Sequence, residues 1–130
     1  MMAHLIKLLV VGSGGFFGAV LRYSVSGWVH RFFGGVFPLG ILVVNVVGCL
    51  VIGFLMGLLE QRQVLGPHAR LFWMIGLLGA FTTFSTFGYD TFELLREKSF
   101  LLGGINIVAN VVLGLLAAWC GWVLVKLISS

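Results

Sequence analysis

Charge is scarce in this 130-residue chain: four Asp and Glu against eight Lys and Arg, 9% charged in all. A soluble domain carries about 25% charged residues, so a water-soluble fold is excluded. With 60% hydrophobic residues and a mean hydropathy of +1.14, the solvent is a bilayer. The acids are Glu60, Asp90, Glu93 and Glu97, so none lies in the first, second or fourth apolar run. Proton-coupled exchangers need a membrane-embedded ionisable relay, and none is evident here unless Asp90 serves. There is no Walker loop, no pair of catalytic carboxylates and no nucleophile beside a base. Passive conduction therefore fits the chain better than pumping or catalysis, and it does not read as an enzyme.

Metal and disulfide chemistry is equally thin. Cys49 and Cys120 sit in mid-span, where a thiol acts as a small apolar packing group, and no disulfide is assigned. His4, His30 and His68 fall at span ends or in loops and share no ligand spacing, which argues against a histidine metal site. Lys7 precedes an apolar run, but no A-x-A-like site follows and the run continues to Leu21, so it reads as a span rather than a signal peptide.

What the chain has in abundance is apolar sequence. A helical span needs ~20 apolar residues, and four such runs fit, at about 5–28, 39–59, 71–95 and 100–128. The expected fold is all-α, a single four-helix transmembrane domain over residues 1–130, joined by tight links over 30–38, 60–70 and 96–99 that carry glycine, proline or charge. The basic residues are scattered one or two per loop, which reads as interface anchoring to lipid and not as a nucleic-acid surface. Lys7, Arg62, Arg70 and Lys126 fall on the side of the termini, and Arg22, Arg31, Arg96 and Lys98 on the other, a tie of four against four. The positive-inside rule then gives no preference, and a chain that inserts both ways can pair with its inverted copy about an axis in the membrane plane.

Small residues recur every four positions: Gly14 and Gly18 leading to Arg22, then Asn45, Cys49, Gly53 and Gly57, then Asn106, Asn110, Gly114 and Ala118. Such stripes let helices approach closely. The two that carry asparagine add amides, which must face another helix or a wet cavity because an unpartnered amide in hydrocarbon costs several kcal/mol.

The third run holds the richest polar cluster, GAFTTFSTF over 79–87, with hydroxyls at Thr82, Thr83, Ser85 and Thr86 behind the helix-weakening Gly76 and Gly79. Phe84 and Phe87 are spaced i, i+3 on one helical face. A phenyl ring has a positive edge, so an edge-on ring can touch a small anion while Ser, Thr and Asn donors hydrogen-bond it. Taken singly these groups also serve as helix packing.

The segments GGFFGAVLRY over 14–23, PLGILVVNVVG over 38–48, GLLGAFTTFSTF over 76–87 and NIVAN over 106–110 resemble the small bacterial fluoride channels called Fluc or CrcB, across nearly the whole chain. The resemblance implies a dual-topology, antiparallel homodimer in the bacterial inner membrane. The third helix of each copy would be broken at mid-membrane, and a sodium ion at the dimer centre held by the backbone carbonyls of Gly79 and Thr82. It places the fluoride path at Asn45, Phe84, Phe87, Ser85 and Thr86. The Asn106–Asn110 pair joins that path as intramembrane amides, and Arg22 is a structural residue near the interface. The chain departs from the family pattern at Ile41, where a hydroxyl is often found, and at Ala80, Asp90 and Gly114. Two other readings are weaker. A dual-topology exporter of the small multidrug type relies on a carboxylate in its first span, which this chain lacks, and a non-conducting packing subunit would leave the polar cluster as helix glue.

Overall fold

The structure is a computed structural model describing residues 1–62 and 65–129. Gln63 and Val64 of the connector expected over 60–70, Ser130, and the side chain of Arg62, one of the basic residues assigned to the terminal side, lie outside the described residues.

Every regular element among the described residues is helical: α1 (Met2–Phe33), α2 (Leu39–Arg62), α3 (Pro67–Arg70), a π-helical segment (Leu71–Leu78), α4 (Gly79–Phe81), α5 (Phe84–Arg96) and α6 (Phe100–Ser129). They make four spans, over Met2–Phe33, Leu39–Gln61, Pro67–Arg96 and Phe100–Ser129. α1 runs past the expected end near Trp28 because no breaker intervenes before Gly34, where the backbone turns extended. The third span begins at Pro67 itself: with its fixed φ and no N–H, proline is at home in a first helical turn and so opens α3 instead of belonging to the loop. The link from α5 to α6 is closed by Lys98, whose φ of 60° reverses the chain, while the Ser99 N–H donates to the Leu94 carbonyl at 2.8 Å.

The third span is interrupted, as the resemblance to the fluoride channels implies. α4 stops at Phe81, Thr82 and Thr83 are extended (ψ 156° and 120°), and α5 restarts at Phe84. Just before the break the helix widens into eight residues of π-helix, a rare geometry that often accompanies functional positions.

Close backbone approach holds the bundle. Gly14 and Gly18 are the buried residues of α1, and a methyl at Gly18 would collide with the Leu77 carbonyl of the third span. α2 and α6 run parallel and pack in register. Asn45 meets Asn110, 65 residues on, and the same offset sets Cys49 against Gly114 and Gly53 against Ala118. The two asparagine-bearing stripes of the sequence are therefore the two sides of one seam. A methyl at Gly53 would strike the Ala118 carbonyl, and one at Gly121 the Leu50 carbonyl, so at these two positions only glycine permits the distance. Val44, Leu78 and Phe81 form a small buried cluster beside the break. Most large apolar side chains point outward, which a bilayer accepts and water would not.

Replacing Gly53 or Gly121 by Ala should cost about 1–3 kcal/mol through overpacking, seen as a lower midpoint of thermal unfolding in detergent. Gly27→Ala, where a methyl meets nothing within 4 Å, serves as the control. Equal midpoints for all three would contradict the close seam.

Candidate functional site

The site is built on the break. In an unbroken helix the Thr83 N–H would bond to the Gly79 carbonyl; here it donates to Asn45 Oδ1 at 2.9 Å. Asn45 Nδ2 returns a hydrogen bond to the Thr83 carbonyl at 3.2 Å, so one side-chain amide of α2 brackets both polar groups of a single residue. Gly48, one turn further along α2, makes room for this, since a methyl there would overlap Thr82 Cγ2.

Thr83 also caps α5. Its hydroxyl accepts from the Thr86 N–H at 3.2 Å, a hydrogen bond of the N-cap kind. The same oxygen lies 3.1 Å from Thr86 Oγ1 and 3.2 Å from Ser85 Oγ. Three hydroxyls thus converge on one point at the start of a helix, where backbone N–H groups and the helix dipole favour negative charge.

On the other side of Asn45 the polar groups continue. Asn45 Nδ2 donates to Asn110 Oδ1 at 2.9 Å, and Asn110 Nδ2 donates to the carbonyl and to Oδ1 of Asn106, each at 3.0 Å. Asn106 Nδ2 donates to Thr91 Oγ1 at 2.9 Å, and Thr91 Oγ1 to the Phe87 carbonyl at 2.8 Å.

Beside this framework an open groove of about 380 Å³ is lined by Asn45, Gly79, Thr82, Phe84, Phe87 and Asn110, among others. The two rings are edge-on, with centroids 5.4 Å apart and planes at 61°. They differ sharply in exposure: Phe87 is 9% exposed and Phe84 82%. Asn106 is 1% exposed and sits behind Asn110, away from the groove wall. Ser85 and Thr86 do not line the groove and reach it through the Thr83 hydroxyl. Arg22 is half-buried on α1, apart from these groups; its carbonyl accepts from Ser26 Oγ at 2.7 Å.

The Gly79 and Thr82 carbonyls suit a cation. The donors a continuous helix would offer them, the Thr83 and Thr86 N–H groups, go to Asn45 Oδ1 and Thr83 Oγ1 instead. Neutral oxygens released in this way are ligands of the type hard cations take.

Thr91 escaped the sequence reading, as did the central position of Thr83 among the hydroxyls. The signal lay in spacing: Thr83, Phe87 and Thr91 follow one another at i, i+4, i+8 on one face of α5. Removing the cap hydroxyl by Thr83→Val should lower stability by about 1 kcal/mol, whereas Thr83→Ser should hold the wild-type unfolding midpoint in detergent. An unchanged Thr83→Val protein would mean that the cap contributes nothing.

Residues 9–122 match the family model described as CrcB-like protein, Camphor Resistance (CrcB). A curated relative from Methanosarcina acetivorans, named Fluoride-specific ion channel FluC 1, is 48% identical over 114 residues, covering 88% of this chain and 86% of its own length. One from Clostridium novyi, named Fluoride-specific ion channel FluC, is 40% identical over 127 residues, covering 98% of this chain and 99% of its own. Another of that name, from Campylobacter jejuni, is 46% identical over 119 residues, covering 92% and 97%.

Proposed function

The chain belongs to the CrcB family of fluoride ion channels, and from that premise we propose that it lets fluoride leave the cytoplasm passively, as an inverted homodimer in the bacterial inner membrane. It is a multi-pass membrane protein with four spans and no enzymatic role. The observation that carries the reading is the broken third span, where a pair of edge-on rings stands beside a groove lined by Asn45, Asn110, Gly79 and Thr82.

The chemistry of the ion explains the choice of groups. Fluoride is small and strongly hydrated, so a pore must replace its water with close donors and still release it. The hydroxyls of Ser85 and Thr86 act on the groove through the Thr83 hydroxyl, while Phe84 and Phe87 offer positive ring edges. Asn45 and Asn110 wall the groove, with Asn106 behind them. Carbonyls of Gly79 and Thr82 would hold a sodium ion, and the positive charge of a bound sodium offsets the cost of an anion in low dielectric. The membrane potential gives about 2.3 kcal/mol per charge per 100 mV, so an inside-negative cell expels fluoride without a coupled fuel. Arg22 serves the fold: it is half-buried on α1, about three turns before the helix ends at Phe33, and is absent from the groove lining.

The inverted pairing is supported by the four-to-four distribution of basic residues and by the outward Phe84, which one copy leaves uncovered. In liposomes read with a fluoride electrode, Phe84→Ile and Phe87→Ile should reduce efflux by at least about tenfold, the loss of one good interaction, while the protein still assembles. Asn45→Leu should act likewise. Normal efflux from all three variants would make these residues packing groups.

Topology is tested separately. A tag on the C-terminus, probed from each face of intact and opened vesicles, should show two populations of similar size. Protection from one face only would defeat the inverted dimer.

A further inference from the structure

The amide chain has a single direction. It starts at the Thr83 N–H and passes through Asn45, Asn110, Asn106 and Thr91 to the Phe87 carbonyl, each link donating to the next. Its ends are backbone groups of fixed sense, and the Asn106 carbonyl also accepts from Asn110 Nδ2, so the orientation of every amide between them is determined. The chain leaves the break, crosses α2 and α6, and returns to the same helix one turn later.

Donor capacity is used up along the way. Asn45 Nδ2 has two hydrogens and serves the Thr83 carbonyl and Asn110 Oδ1; Asn110 Nδ2 serves two atoms of Asn106. Asn106, 1% exposed, and Thr91, 6% exposed, are sealed from the groove. Groups so placed cannot meet an ion, yet they determine where the groups that line its path stand.

We propose that Asn106 and Thr91 are positioning residues for ion passage: through Asn110 they hold the Asn45 amide against the helix break, and so fix Thr83 and its hydroxyl cluster, without touching the ion. The proposal rests on the fluoride-channel reading. Hydrogen bonds in a chain polarise one another, so losing the far link loosens the near one. Thr91 is the link whose removal disturbs packing least, because valine copies its shape.

Thr91→Val should leave a folded protein whose fluoride efflux from liposomes falls about tenfold, the equivalent of about one hydrogen bond. Thr91→Ser, which restores the hydroxyl, should return efflux to the wild-type rate. Amide hydrogen exchange at Thr83, more than a turn and a half of helix away, should speed up by a similar factor in Thr91→Val and not in Thr91→Ser. Unchanged exchange at Thr83, or faster exchange with wild-type efflux, overturns the proposal. Absence of efflux from the unmutated protein would instead remove the channel reading, and the exchange comparison would still decide whether the relay holds the break.

Discussion

A helix that opens its hydrogen-bond ladder inside hydrocarbon must find new partners for the backbone groups it frees, and at Thr83 both are met by the side-chain amide of Asn45. Leaving either group bare in lipid would cost several kcal/mol. The break in the third span is therefore not a property of the third span alone. It exists because α2 presents an asparagine at that depth, and because Gly48 lets α2 come near enough for the amide to reach. The freed carbonyls, the capped start of α5 and the groove beside them all follow from this one bracket.

The bracket in turn needs a rigid α2, and the seam with α6 supplies it. A constant offset of 65 residues sets Asn45 opposite Asn110 and continues through glycine, alanine and cysteine for two further turns. Small residues bring the backbones together, and close backbones put two amides within hydrogen-bond reach. Packing and polarity are thus coupled: the stripe that looks like a dimerisation motif positions the polar framework within one copy. At the end of the same pair of helices Trp122 Nε1 donates to Glu60 at 2.8 Å and Lys126 lies 3.5 Å over the Trp122 ring, an anchor suited to the membrane interface.

Much of this was legible in the sequence because the bilayer imposes strong rules. Span number follows from apolar run length, and hydroxyls and glycines crowded where hydrocarbon belongs mark the unusual segment, while its break is implied by the family resemblance. Small-residue spacing marked both sides of the seam, although it could not say that the two stripes face each other, since that depends on the tilt and rotation of two helices. The two phenylalanines were placed on one face, but i and i+3 still differ by about 60° in direction, enough to bury Phe87 and leave Phe84 exposed. Thr91 went unnoticed because a lone threonine in a helix looks like one that bonds only its own backbone. It does so here, to the Phe87 carbonyl, and accepts from Asn106 as well. The π-helical segment has no compositional mark in LFWMIGLL that separates it from ordinary helix.

The neutrality of the framework is itself a constraint on mechanism. Among the described residues no Lys or Arg lines the groove, so the protein's own groups there act through dipoles and not through full charges. Amides and hydroxyls offer partial charges of modest size, and Arg22 is kept off the groove wall. Partial charges help only when aimed, because a freely turning amide presents its carbonyl to an anion as readily as its N–H. Tying the amides head to tail between backbone groups removes that freedom. Beside the groove the protein then presents dipoles of fixed direction, held by the same hydrogen bonds that bracket the break.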